Sequence, residues 1–280
     1  VEKKEMSRLS VLMTVYNEVE YVDYAIRACL PHVDDLVIVE GAYQEIIDLG
    51  AEPRSTDGTL EKVVDMRDLT YIRTAFGLTD NKEITDLYCK MHIIQANEQT
   101  DKDQRNLGLE KIKELNPDGW LLIIDGDEVY DKDNFSMIKV AMHNMEKSDK
   151  LAAHFKSLTF VNDFDHYAEQ DYPRLFRITQ DCKFINDNFM TWPDKNTGWF
   201  SPAVIKIPYI RYHHYAFCKG IERFELKKKW WETRFGEPFD YGWHINEDGK
   251  IEDEEHEINL YTGRHPEIME KHPLWNSESE

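Results

Sequence analysis

The sequence predicts an α/β fold built on a parallel sheet, and three stretches carry that prediction. Leu9–Tyr16 (LSVLMTVY), Leu36–Val39 (LVIV) and Trp120–Ile124 (WLLII) are short, almost wholly apolar runs, each followed within two residues by an acidic side chain. A strand with one wet face alternates apolar and polar residues. A continuous apolar run has to be covered on both faces, which is the condition of strands in a parallel sheet flanked by helices.

Taken in order, Asn17-Glu18 ends the first run. Val19–Leu30 then reads as a helix with Val22, Ala25, Ile26 and Cys29 on one face, stopped by Pro31. The second run closes at Glu40-Gly41, so the first two strands should be parallel neighbours joined by a right-handed crossover. Ser55-Thr56-Asp57-Gly58-Thr59 supplies cap and turn residues for a helix over Leu60–Met66. Leu69–Arg73 reads as a weak third strand, and the stretch from Ala75 to Asn97 has no clear period. Asp103–Leu115 is helical, Asn116-Pro117-Asp118-Gly119 is a turn, and the WLLII strand runs into Asp125-Gly126-Asp127-Glu128. Phe135–Lys147 is an amphipathic helix. After Lys150 strands such as Ala152–Phe160 and Ile205–Tyr215 lie among aromatic and amide residues. Glu222–Arg234 reads as a charge-rich helix and Glu247–Glu257 as an exposed acidic stretch. With no repeat and no long linker, residues 1–280 read as a single domain. Its nucleotide-binding half spans 1–130, and its acceptor half and C-terminal extension span 131–280.

The 280 residues are 41% hydrophobic, enough for a sizeable core, and carry 54 acidic against 34 basic side chains, a formal net charge of -20. Such a surface repels nucleic-acid phosphates and anionic lipid, so no nucleic-acid partner is expected. Cys29, Cys89, Cys182 and Cys218 are far apart and form no CxxC pair, which argues against a zinc ribbon and a disulfide framework. VEKKEMSRLS lacks the apolar region of a signal peptide, and no run of about 18 apolar residues occurs. The expectation is a cytoplasmic protein with no transmembrane segment.

Ligands of open α/β sheets bind beyond the carboxyl ends of the strands, and the acidic groups collect there. Asp125-Gly126-Asp127 is the sharpest case. Two carboxylates two residues apart can face one ligand, Gly126 permits a bend and close backbone approach, and hard cations such as Mg2+ bridge carboxylates to diphosphates. The alternative is a plain acidic turn. Asn17-Glu18 reads as a base- or ribose-binding turn or as ordinary helix capping, and Glu40 as a ribose or base acceptor or as a solvated loop carboxylate. Arg105, in Gln104-Arg105-Asn106-Leu107-Gly108, faces a diphosphate or the adjacent acidic cluster from a helix start, or else the solvent. One imidazole of His213-His214-Tyr215 could complete a metal sphere begun by Asp127, neutral imidazole being a good ligand for Mn2+-like ions.

In this order, VLMTVYNEVEYVDYAI, LVIVEGA, STDGTLE, RNLG and LLIIDGDE resemble family 2 glycosyltransferases of the GT-A fold, from about Leu9 to Tyr130. PRLFR (Pro173–Arg177) and HHYAF (His213–Phe217) are similar to motifs of the lipopolysaccharide-type branch. The resemblance implies a GT-A type Rossmann-like sheet with helices on both faces and a mixed C-terminal acceptor region. It implies inverting transfer from a nucleoside-diphosphate sugar, of UDP or GDP type, to a hydroxyl acceptor such as a glycan, with Mn2+ or Mg2+. Thr14, Tyr16, Glu18, Glu40 and Asp57 would line the nucleoside site, with Asn17 in the same turn. Arg105 would neighbour the diphosphate, Asp125 with Gly126 would contact the ribose or sugar, and Asp127 the metal. The branch's His-Tyr-small-aromatic pattern fits His214-Tyr215-Ala216-Phe217, making His214 the second metal ligand and leaving His213 to pack. Two features depart from the family: Ala42 to Arg54 separates Glu40 from the STDGT motif, and no catalytic Glu-Asp pair follows in the usual region.

An inverting transfer needs a carboxylate base within reach of the acceptor hydroxyl. Asp163, Asp165, Asp171 and Asp187 are candidates, and Asp187 is preferred because it follows the PRLFR strand and the end of the FIN strand. Trp192, Trp199, Tyr209, Trp230 and Trp231 are candidates for stacking on sugar faces. The competing readings are a sugar nucleotidyltransferase, which would normally carry a Gly-rich basic loop where TVYNEVEY stands, and a non-catalytic glycan-binding relic of the same shell.

Overall fold

A computed structural model describes residues 7–75, 90–97, 99–186, 188–194, 198–200, 204–236 and 242–276. The strands are β1 (Leu9–Val15), β2 (Asp35–Glu40), β3 (Met91–Gln95), β4 (Trp120–Ile123), β5 (Glu128–Val129), β6 (Ala152–Val161), β7 (His166–Arg177), β8 (Lys183–Phe184), β9 (Met190–Asp194), β10 (Gly198–Phe200), β11 (Ile205–Phe217), β12 (Trp243–Ile245), β13 (Ile251–Asp253) and β14 (Asn259–Leu260). The helices are α1 (Val22–Cys29), α2 (Gln44–Asp48), α3 (Thr59–Ala75), α4 (Asp101–Leu115), α5 (Lys132–Lys147) and α6 (Ile221–Phe235).

The main sheet runs β3-β2-β1-β4-β7-β6-β11-β5, with β14 beside β7. β3, β2, β1 and β4 are parallel, and β7 reverses direction against both β4 and β6. The result is a curled, mixed sheet with an α/β, Rossmann-like half, consistent with the GT-A fold. β1 lies between β2 and β4 and is buried along its whole length. Its side chains alternate between two cores, as a period of two requires. Leu9, Val11, Met13 and Val15 pack with α1 and α5 residues such as Ile26, Phe135 and Ile138, whereas Leu12 packs with Leu109 and Ile112 of α4. The sheet therefore has helices on both faces. Gly108 is the point of closest approach on the α4 side, because a Cβ there would stand 2.2 Å from Leu12 Cδ1.

The third parallel strand is not Leu69–Arg73. That segment continues α3 as far as Ala75, and β3 pairs with β2 instead. A short apolar run fits a helix interior as well as a strand, and a helix already capped at its start extends at low cost. α2 occupies part of the insertion between Glu40 and the STDGT motif and packs against α6. The acidic stretch near the C-terminus contains β13, whose Ile251 is 2% exposed and joins Phe217, Phe224 and Trp243 in a small satellite core. Cys29, Cys182 and Cys218 are buried, and Cys89 lies outside the described residues. Among the described residues no helix is long and apolar enough to cross a membrane.

Candidate active site

At the carboxyl ends of β1 and β4 lies a cavity of about 420 Å³, walled on its far side by α6. Thr14, Tyr16 and Glu18 reach it from the end of β1, Asp125, Gly126 and Asp127 from the end of β4, and Arg105 from α4. His214 and Ala216 reach it from β11, and Tyr172 and Arg174 from β7. The register delivers His214: β5 pairs with β11 so that Glu128 lies opposite His214, and Tyr215 N donates to Asp127 O at 3.0 Å. Adjacent residues on a strand face opposite ways. His214 Nε2 accordingly stands 3.5 Å from Asp127 Oδ1, while His213 stacks on Phe160 with ring centroids 5.6 Å apart and meets the Tyr261 hydroxyl at 2.8 Å. Burial, and then the neighbouring His265, push the His213 imidazole down to about 3, so it packs neutral.

Gly126 brings the two acidic turns together. A Cβ there would lie 3.1 Å from both Glu18 Cγ and Val15 Cγ1, so the turn after β4 sits close against the turn after β1. That crowds carboxylates, and buried cations offset them. Arg105 donates to Asp125 at 2.8 Å and lies 3.4 Å from Asp101. Arg174 reaches Glu128 at 2.5 Å and Asp125 at 3.1 Å. Lys219 bridges Glu18 at 2.5 Å and Asp127 at 2.6 Å, and Arg223 meets Glu18 at 3.0 Å. Burial alone would raise the Asp125 carboxyl, but Arg105 and then Arg174 outweigh it and hold the group at about 2. Asp127 is likewise held well below the carboxylate range, burial being overcome by Lys219 and His214. Glu18 and Glu128 sit above their ordinary values because burial prevails over their cationic partners.

Asn17, Glu40 and Asp57 do not line the cavity. They tie the STDGT segment to the end of β1, which explains how that segment returns despite the insertion. Asn17, at φ 53°, accepts from Thr56 N at 2.8 Å, and its own N–H donates to Ser55 Oγ at 2.9 Å. Glu40, fully buried, accepts from Ser55 N at 2.8 Å. Asp57 caps α3 through Thr59 N at 2.9 Å and accepts from Val19 N at 3.0 Å. Asp187 lies outside the described residues, though Asn188, the next in sequence, lines the cavity. The other candidate bases do not line the cavity: Asp163 holds the 163–166 turn and His166, Asp165 lies in that same turn, and Asp171 pairs with Lys206 at 2.7 Å. Of the aromatic candidates, Trp230 and Trp231 line the cavity. Trp192 is core and donates to Arg177 O, and Tyr209 is exposed on the surface. The side chain of Trp199 is outside the described residues.

Reasoning from sequence missed Tyr43, Asp101, Arg174, Lys219, Arg223 and Lys227, all of which line the cavity. The last three stand at a spacing of four: Lys219 precedes α6, and Arg223 and Lys227 share one face of it, a pattern masked by the intervening Glu222 and Glu225. Arg174 was in view within PRLFR, but nothing local distinguishes it from Arg177, which pairs instead with Glu146 at 2.8 Å.

Among the described residues no group of three or more His, Cys, Asp or Glu converges to hold a metal. The Asp127–His214 pair fits a two-donor site: ligands each about 2.1 Å from one ion stand roughly 3–3.5 Å apart, and diphosphate oxygens and water commonly fill the remaining positions.

No protein-family model matches the chain, and no curated protein matches it. Among solved structures it is similar to residues 1–349 of S. aureus TarS in complex with UDP, at 17% identity over 55% of this chain and 36% of that one, with a TM-score of 0.33. It is also similar to a UDP-glucose pyrophosphorylase complexed with UDP-glucose, at 8% identity over 66% and 73% of the two chains and a TM-score of 0.31. A third likeness is to the inositol-1-phosphate CTP transferase from T. maritima, at 9% identity over 82% and 98% and a TM-score of 0.32. The chain spans about a third of the TarS fragment's length. Likenesses this remote leave the activity to be argued from the cavity itself.

Proposed function

We propose that the chain is a glycosyltransferase that moves a sugar from a nucleoside-diphosphate sugar to a hydroxyl acceptor, with inversion. One observation carries the reading: a chain of net charge -20 gathers Arg105, Arg174, Lys219, Arg223 and Lys227 around a single cavity at the carboxyl ends of its parallel strands. Such a cavity attracts a polyphosphate that the rest of the surface repels. Its size suits a ligand larger than inorganic phosphate, and Tyr43, Tyr172, Trp230 and Trp231 offer faces for a base or a sugar ring.

In this reading a carboxylate, proposed as Asp187, takes the proton of the acceptor hydroxyl, whose oxygen attacks the anomeric carbon. The bond from that carbon to the diphosphate oxygen breaks, and the nucleoside diphosphate leaves with the electron pair. The cations of the cavity face the charge that develops on it. Asp127 and His214 would hold Mn2+ or Mg2+, which when bound supplies further positive charge against the diphosphate. Thr14, Tyr16, Glu18 and Asp125 are proposed to contact the nucleoside and its sugar. Asn17, Glu40 and Asp57 act by fixing the turn on which Glu18 stands.

The test is incubation with UDP- and GDP-sugars, with and without an acceptor mixture, with Mn2+ or with EDTA. Release of nucleoside diphosphate supports the reading. Release of pyrophosphate from a nucleoside triphosphate and a sugar phosphate would identify a nucleotidyltransferase instead. Binding of glycans without binding of any nucleotide would identify a lectin-like relic.

A further inference from the structure

The cations of the cavity are not equivalent. Four of them are ion-paired: Lys219 with Glu18 and Asp127, Arg223 with Glu18, Arg105 with Asp125 and Asp101, and Arg174 with Glu128 and Asp125, although Nη1 of Arg105 and Nη1 of Arg174 have no hydrogen-bond partner among the described residues. Lys227 lies on α6, one turn after Arg223, on the helix face that closes the cavity. Among the described residues it has neither a hydrogen bond nor an ion pair. The contact described for its ammonium is with the face of the Phe217 ring, 4.9 Å away.

Holding a half-buried ammonium without a counter-ion is unfavourable. Burial pushes the group down from the ordinary lysine range, and Asp127, the largest opposing influence, does not restore it. Arg105, Arg174, Lys219 and Arg223 are paired among Glu18, Asp101, Asp125, Asp127 and Glu128, whereas Lys227 has no carboxylate partner among the described residues. At each of the other cations a ligand anion would share the positive charge with a carboxylate already paired to it. At Lys227 it meets no competitor.

We propose that Lys227 is the residue that takes up the diphosphate of the bound nucleotide, its ammonium waiting in the cavity for the charge that this ligand alone brings. The inference rests on the proposed nucleotide-sugar reading and assigns the phosphate end of that site. The base and ribose then lie toward Thr14 and Tyr16 at the end of β1. As the bond from the anomeric carbon to the diphosphate oxygen breaks, the electron pair passes to that oxygen beside the cavity cation that has no ion pair among the described residues.

Isothermal titration of wild type, Lys227→Met and Lys227→Arg with UDP, GDP, uridine and guanosine tests this, alongside thermal melting of the ligand-free proteins. A charge-assisted hydrogen bond contributes enough that Lys227→Met should weaken diphosphate binding roughly ten- to hundred-fold. Nucleoside binding should be unchanged, and Lys227→Arg should keep most of the affinity. The ligand-free Lys227→Met protein should melt at or above the wild-type temperature, since it loses an unpaired charge. Equal diphosphate affinity in wild type and Lys227→Met, or equal loss of nucleoside and diphosphate, would overturn the assignment while leaving the reading of the cavity intact. A lower melting temperature in ligand-free Lys227→Met would also overturn it, by revealing a structural partner. Wild type that binds no nucleoside diphosphate would overturn both.

Discussion

Replacing Arg174 by Met should separate what the buried charge network does for stability from what it does for binding. Arg174 is 3% exposed, and its guanidinium spans Glu128, which is fully buried, and Asp125. Asp125 would keep Arg105, but Glu128 would lose its principal cation and retain only the weaker influence of His214. Breaking a buried pair from one side costs about 3–5 kcal/mol, because the remaining charge is left without compensation. Burial already holds the Glu128 carboxyl above its ordinary value, and loss of Arg174 should raise it further, so protonation relieves part of the stranded charge and limits the cost to the lower part of that range. Adding Glu128→Gln removes the stranded charge and should recover about 2 kcal/mol of the loss. Urea denaturation at neutral pH of wild type, both single variants and the double variant completes the cycle. A single Arg174→Met loss below about 1 kcal/mol, or a double variant no more stable than Arg174→Met, would refute the claim that this pair is buried and mutually dependent.

Three further outcomes are expected. His214→Ala should abolish the Mn2+-dependent part of UDP or GDP binding while His213→Ala leaves it in place and lowers stability, and titrations with and without EDTA would expose the reverse order. Asp187→Asn should lower turnover by two orders of magnitude or more with little change in donor affinity, as roughly expected of a general base; wild-type turnover would move the role to another carboxylate. His213 binds a proton at about 3 in the fold and near 6.5 when exposed, so the unfolded chain binds the extra proton between those values and stability must fall as the pH drops through that window. In His213→Phe that part of the acid sensitivity should disappear from melting curves recorded between pH 7 and pH 4, and an unchanged slope would contradict the buried neutral imidazole.

The parts of the fold that could be read from the chain are those where burial is two-sided. β1, β2 and β4 announce themselves because each has to be apolar along its whole length, and the DGD turn is legible because it interrupts such a run. β3 was invisible because it is an edge strand. Only Met91 of its residues is buried, and His92 to Gln95 carry no period that distinguishes them from a loop. The cavity was legible in its acidic half and not in its basic half. Glu18, Asp125 and Asp127 follow directly on strands, where topology predicts ligands. Lys219, Arg223 and Lys227 follow a strand and a helix that only tertiary packing brings to the same place. Glu40 reads as a ligand contact from its place at a strand end and Asp57 from the family resemblance, whereas backbone N–H groups of neighbouring segments take Glu40 Oε1 and both Asp57 oxygens.

The cavity draws its opposite charges from opposite ends of the gene product. Glu18, Asp101, Asp125 and Asp127 come from the first 130 residues, together with Arg105, whereas Arg174, Lys219, Arg223 and Lys227 come from the remainder. A swap of either half for that of a distant relative would therefore join an acidic floor to a ceiling tuned for another floor. A junction at residue 130 would separate the partners of the ion pairs that join the two. The changes that survive will be those that travel in pairs across that boundary, Lys219 with Glu18 and Asp127, Arg174 with Glu128 and Asp125.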